Sequence, residues 1–166
     1  MSLSRGFPPV ADPAARTLIL GSLPGEASLR AGQYYAHGRN AFWRIMGDLL
    51  GAGPALPYEK RLEKLGAAGI ALWDVIAACE RFGSLDSDIV HGSVRVNDFP
   101  AFFAAHDRIE RVFFNGGAAE ASFRRHALPG LSGLNLRLVR LPSTSPAHAA
   151  RAYAEKLAAW SAIVAE

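Results

Sequence analysis

Short apolar runs alternate with stretches of helical period along this chain. Thr17-Leu18-Ile19-Leu20 is a continuous apolar run stopped by Gly21, the pattern of a buried strand. After Asn40, the apolar positions Phe42, Trp43, Ile45, Met46, Leu49 and Leu50 recur at helical spacing, and Gly51 fits the stop. Pro57 opens a second helix over Tyr58–Leu65, closed at Gly66. Gly69–Trp73 reads as the next strand, and the Ser/Asp-rich stretch Glu80–Asp88 as loop. Asp98–His106 reads as a helix with Phe99, Phe102 and Phe103 on its apolar side. Arg111–Phe114 is a third strand, stopped by Asn115-Gly116-Gly117, and Ala118–Ala127 is a helix. Leu134–Leu141 alternates in part and reads as a fourth strand. Ser145-Pro146 pairs an N-cap with proline at the first helical position. The last helix is expected to run to Val164, with Ala149, Tyr153, Leu157, Trp160 and Val164 on one face.

The order β-α-α-β-α-β-α-β-α implies parallel pairing. The expected fold is α/β, a three-layer α/β/α sandwich around a central, mainly parallel four-stranded sheet. No repeat or long linker divides the chain, so residues 1–166 read as one domain, with 1–15 an irregular N-terminal arm.

Composition narrows the function classes. A formal charge of +3 is too mild for coating nucleic acid by bulk charge. Of the 18 basic residues, 15 are Arg and three are Lys (Lys60, Lys64, Lys156). Arg suits planar, bidentate contacts to phosphate or bases, although a coding bias gives the same count. The single Cys79 permits no internal disulfide and no Cys-x-x-Cys metal or redox site. The histidines His37, His91, His106, His126 and His148 stand in no ligand spacing, so no metal and no cofactor are expected. The N-terminus has no apolar signal region and no run approaches 18 apolar residues, so a soluble, cytoplasmic protein is expected.

Ligands of open parallel sheets bind beyond the carboxyl ends of the strands. All four expected strands end in distinctive segments: Gly21-Ser22-Leu23-Pro24-Gly25, Trp73-Asp74-Val75, Asn115-Gly116-Gly117 and Leu141-Pro142-Ser143-Thr144-Ser145-Pro146. Together they imply a composite site. The first is neither a dinucleotide loop nor a P-loop, and Ser22 is in no nucleophile elbow. Its glycines let backbone N–H groups approach a flat ligand or phosphate, or simply form a turn. Gln33-Tyr34-Tyr35-Ala36-His37-Gly38-Arg39-Asn40-Ala41-Phe42-Trp43 crowds polar and aromatic groups ahead of a helix. Tyr stacks on a nucleobase, and Arg39 suits a phosphate. Asn40 suits either a helix cap or a water held by its amide oxygen. Trp43 reads as core and His37 as structural. Ser143-Thr144-Ser145 offers hydroxyls and N–H groups at a helix start, a phosphate cradle or a capping turn.

These motifs resemble the uracil-DNA glycosylase superfamily over almost the whole chain. The mismatch-specific uracil/thymine branch is similar at Gly21–Gly25, His37–Trp43 and Leu141-Pro142-Ser143. The hypoxanthine-DNA glycosylase branch is closer, through Gly21-Ser22-Leu23-Pro24, Ser28-Leu29, Gln33-Tyr34-Tyr35 and Leu72-Trp73-Asp74-Val75. Three positions depart from the family pattern. Leu23 stands where most members carry a water-positioning Asp or Asn, Leu141 where many carry His or Asn, and Gly38 where Pro is frequent.

The resemblance implies hydrolysis of the N-glycosidic bond of a flipped-out deaminated base, hypoxanthine favoured, in duplex DNA. It implies Asn40 as the residue that positions the attacking water, the catalytic assignment. Backbone groups of Ser22, Leu23, Pro24 and Gly25 would contact the base, and Tyr35 would stack on it, with Tyr34 the alternative. Asp74 stands where relatives have a base-reading Asn, and Asn115 is a further pocket candidate. Arg39 would hold phosphate. Ser143, Thr144, Ser145 and Pro146 would pinch the strand and fill the vacated stack. The three lysines fall in expected amphipathic helices away from the motifs, so a monofunctional enzyme without lyase activity is expected. DNA is the expected partner, with no membrane contact and a monomeric state. The lone Cys79 excludes the iron–sulfur branch. Excision of uracil from G·U pairs, and non-catalytic binding of damaged or abasic DNA, are the competing readings. A small-molecule hydrolase is disfavoured because no activated nucleophile is visible.

Overall fold

The structure, a computed structural model, describes residues 3–148 and 150–165. In chain order the elements are β1 (Leu3–Arg5), β2 (Thr17–Gly21), α1 (Glu26–Ala31), α2 (Phe42–Leu50), α3 (Tyr58–Ala67), β3 (Ile70–Asp74), β4 (Ile76–Glu80), β5 (Arg95–Val96), α4 (Phe99–Ala105), β6 (Arg111–Asn115), α5 (Gly117–Ser122), β7 (Arg137–Leu141) and α6 (Tyr153–Trp160). The central sheet has the order β3-β2-β6-β7 and is parallel throughout.

Residue alternation builds the two faces of this sheet. Leu18, Leu20, Ala71, Trp73, Val112 and Phe114 face one way, onto Phe99, Phe102 and Phe123. Ile19, Ile70, Leu72 and Phe113 face the other, onto Phe42, Ile45, Met46 and Trp160. Both faces are covered over β2, β3 and β6, so these strands read as apolar runs, whereas the edge strand β7 alternates with Arg137 and Arg140. The result is the three-layer α/β/α sandwich. Register sets the site. Gly21 lies opposite Asp74, Asn115 lies opposite Leu141, and Leu20 is level with Phe114. The carboxyl ends of all four strands therefore meet along one edge.

Several expectations are corrected. A second, antiparallel sheet, β1-β4-β5, is present. The arm over residues 1–15 is not irregular throughout. Leu3–Arg5 pairs with β4, Val10 bridges Leu72, and the Phe7 carbonyl accepts a 3.1 Å bond from Trp73 Nε1. Helix α1 was not expected, and β7 starts at Arg137 rather than Leu134. The expected helix over Ala118–Ala127 is α5 followed by a π turn, Phe123–Ala127.

The last helix does not begin at Ser145-Pro146. Pro146–His148 makes one 3-10 turn, with Ser145 Oγ accepting from the Ala147 N–H, and α6 starts only at Tyr153. Ala149 lies outside the described residues. The buried face of α6 carries Lys156 and Trp160, and Val164 lies beyond the helix, 44% exposed.

Candidate active site

A cleft of about 1090 Å³ lies along the carboxyl edge of the central sheet. Every residue of the expected site lines it: Ser22, Leu23, Pro24, Gly25, Tyr35, Arg39, Asn40, Asp74, Asn115, Ser143, Thr144, Ser145 and Pro146. A second hollow of about 580 Å³, at Arg16, His106 and Asp107, contains none of them.

The floor is made by Gly21, Asp74 and Tyr35. A Cβ at Gly21 would lie 2.6 Å from Asp74 Oδ1 and 3.1 Å from the Tyr35 hydroxyl, so only glycine leaves these groups in place. Tyr35 adopts φ +56°, the left-handed region, unusual for a bulky side chain and a store of backbone strain. One face of its ring stacks on Phe42 at 4.0 Å. The Tyr35 hydroxyl and Asp74 Oδ2 are both buried, and neither has a hydrogen-bond partner among the described residues. Burial pushes the Asp74 carboxyl up to about 7; Asp86 adds to the rise, and Arg81 opposes it. Burial, and then the nearby Asp74 charge, hold the Tyr35 phenol far above its ordinary range. Asp74 thus exchanges its proton near neutrality while Tyr35 remains a donor. Tyr34 is different: its hydroxyl donates to the Pro8 carbonyl and its ring is core, so Tyr35 is the tyrosine available to a ligand.

The Ser22–Gly25 wall is held from behind. Ser22 Oγ donates to Asp86, the Pro24 carbonyl accepts from the buried Arg81, and Leu23 packs into the core. No hydrogen bond among the described residues uses the Leu23 or Gly25 N–H, so backbone donors are what this wall offers.

The opposite wall is tied by Asn115. Its Nδ2 donates to Thr144 Oγ1 and its Oδ1 accepts from Thr144 N, both at 2.9 Å. The Thr144 carbonyl in turn accepts from Ala41 N at 3.0 Å. Thr144 is 1% exposed, and its N–H, carbonyl and hydroxyl oxygen are all engaged, so it ties the loop in place. Asn115 likewise acts first as the tie that positions this loop. We expect Asn115→Ala to lower unfolding free energy by about 1–3 kcal/mol, because it orphans buried groups of Thr144. A denaturant melt checks this, and an unchanged midpoint would contradict the role.

At the rim, Arg39 is exposed and makes no ion pair among the described residues. Asn40 is half-buried, and its Oδ1 accepts the Phe42 N–H at 2.9 Å, so it does hold the start of α2. A second lone pair on that oxygen remains for a water.

Sequence reasoning missed four contributors. Ser84 and Asp86, read only as loop, strap the first wall through Glu26 N and Ser22. Arg81 is buried with Nε and Nη1 unpartnered. Lys156 corrects the placement of all lysines away from the motifs, because it lines the cleft. Its one visible signal was its position four residues before Trp160 on the buried face of α6. No helix among the described residues is long and apolar enough to cross a membrane.

Comparison with known sequences assigns the class. The profile of the Uracil DNA glycosylase superfamily matches residues 8–164, and the chain belongs to that superfamily. Within it, the chain is 39% identical over 147 residues to the hypoxanthine DNA glycosylase of Methanosarcina acetivorans, covering 88% of this chain and 89% of that one. It is 42% identical over 113 residues to the hypoxanthine DNA glycosylase of Methanosarcina barkeri, covering 68% and 70%. A solution NMR structure from M. acetivorans, described as a uracil DNA glycosylase, superposes with a TM-score of 0.82 at 35% identity, covering 98% of this chain and 97% of that one.

Proposed function

We propose that this protein is a DNA glycosylase that releases a deaminated base, hypoxanthine in preference, from duplex DNA by hydrolysing the N-glycosidic bond. It leaves an abasic site and does not cut the strand. The observation that carries this reading is the pair of unpartnered buried groups on the floor, Asp74 Oδ2 and the Tyr35 hydroxyl. Each costs about 1–3 kcal/mol unless a ligand meets it. Deamination of adenine turns the N1 acceptor into an N–H donor and the amino group into a carbonyl. Asp74 accepts from that N–H in either protonation state, and donates to the new carbonyl when protonated. The resemblance to chains named hypoxanthine DNA glycosylase supports the same base.

The scissile bond is shielded in the duplex, so the nucleotide is flipped into the cleft. Bond cleavage builds positive charge on the sugar and negative charge on the departing base. The Leu23 and Gly25 N–H groups, with Tyr35 and protonated Asp74, are fixed donors for that anion. Asn40 orients the attacking water; an amide is a poor base, so positioning supplies most of its effect. Arg39 and the Ser143, Ser145 and Pro146 segment grip the flanking backbone. The protein acts as a monomer.

A panel of duplexes carrying hypoxanthine, uracil or xanthine tests the reading. Hypoxanthine is expected to be released fastest under single-turnover conditions. Faster uracil release would overturn the base preference. Tight binding with no release of any base would make the protein a binder of damaged DNA instead.

A further inference from the structure

Lys156 is 5% exposed, yet forms no ion pair and no side-chain hydrogen bond among the described residues. Holding a charged amine on a largely buried side chain without a counter-ion is costly. Its place on α6 shows where the amine goes. Trp160, one turn later on the same buried face, donates its Nε1 to the Pro142 carbonyl at 2.9 Å. Helical side chains lean toward the helix N-terminus. Lys156 precedes Trp160 by one turn on this face and lines the same cleft as Ser143 and Ser145. The stem is packed while the charged tip meets the cleft.

That wall is built for an anion. From Arg140 to Lys156 its cleft-lining residues include His148 and Arg151 and no carboxylate. The hydroxyl oxygens of Ser143 and Ser145 accept from the N–H groups of Ser145 and Ala147. Both hydroxyl protons are thus left to donate outward. Burial, then Arg151, lowers the basicity of Lys156, and the charge of a bound anion would oppose this by favouring the ammonium.

We propose that Lys156, with the Ser143 and Ser145 hydroxyls, forms a phosphodiester-binding site that grips the damaged strand, including after the base has left. The site rests on the reading of DNA as substrate. The test is binding of a duplex carrying a tetrahydrofuran abasic analogue, measured across salt concentrations. Lys156→Met keeps the apolar stem. It is expected to weaken binding about tenfold near 0.1 M salt and to flatten the salt dependence by roughly 0.9 log unit per log unit, one phosphate's share. Lys156→Arg is expected to restore the slope, and the exposed Lys64→Met to leave it unchanged. An unaltered slope in Lys156→Met would overturn the site. So would a borohydride-trapped adduct on a natural abasic duplex that is lost in Lys156→Met, since the amine would then be meeting carbon rather than phosphate. If Lys156→Met does not fold, the Nζ resonance of Lys156 in ¹⁵N-lysine-labelled wild-type protein decides: a shift on adding the duplex supports the site, and none overturns it. Failure of the wild-type protein to bind the duplex at all would instead refute DNA as substrate.

Discussion

Asn40→Ala is expected to slow single-turnover base release by about 10²–10³-fold, while binding of an abasic duplex changes only a few-fold. The separation follows from what Asn40 touches. It lines the cleft at the foot of α2, with Oδ1 already accepting the Phe42 N–H. In the proposed mechanism its second lone pair meets only the attacking water, so the variant is expected to lose an interaction made during reaction rather than on binding. The same substitution removes a helix-start acceptor and costs about 1 kcal/mol of stability. Asn40→Asp separates the two effects, because its carboxylate still accepts the Phe42 N–H and still accepts from a water. It is expected to melt with wild type and to keep far more activity than Asn40→Ala. If Asn40→Ala releases base at the wild-type rate, Asn40 is a cap and nothing more.

The strands of the central sheet were legible because both faces are buried, so Thr17–Leu20 and Arg111–Phe114 carry no competing polar signal. The cleft followed from them: parallel strands place their carboxyl ends together, and the punctuating residues Gly21, Asp74, Asn115 and Leu141 mark that edge. The second sheet was not legible. One residue, Val75, separates β3 from β4, and no Gly, Pro or Asn turn signal stands there to show that a second strand follows Gly69–Trp73. Ser145-Pro146 carries a true start signal, but the turn it starts lasts only to His148. The reciprocal Asn115–Thr144 pair spans 29 residues and leaves no local pattern. Lys156 was hidden for a different reason. A lysine in an amphipathic helix reads as solvated, whereas this one is buried beside the cleft.

Asp74 carries the second large effect, on both stability and activity. Its folded-state pKa of about 7 lies above the ordinary 3.8, so between those values the folded chain holds a proton that the unfolded chain has lost. Stability tied to this group is complete below about pH 4 and is lost as pH rises through 7. About three units at ~1.4 kcal/mol each gives a loss of about 4 kcal/mol. Asp74→Asn has nearly the same shape and no charge. It is therefore expected to raise unfolding free energy at pH 8 by several kcal/mol, with little change at pH 4. Activity follows the same proton. If the acid form donates to the base carbonyl, wild-type kcat/KM for hypoxanthine release falls about tenfold per pH unit above 7. Asp74→Asn retains a donor that does not titrate, so its profile is expected to be flat through that range. The groups that set the wild-type midpoint are Asp86, which raises it, and Arg81, which lowers it. Asp86→Asn should accordingly move the midpoint down, away from neutrality. A wild-type profile with no break between pH 6 and 8, together with equal stability of Asp74→Asn and wild type at pH 8, would show that Asp74 is ionised throughout and accepts only from the N1–H of the base.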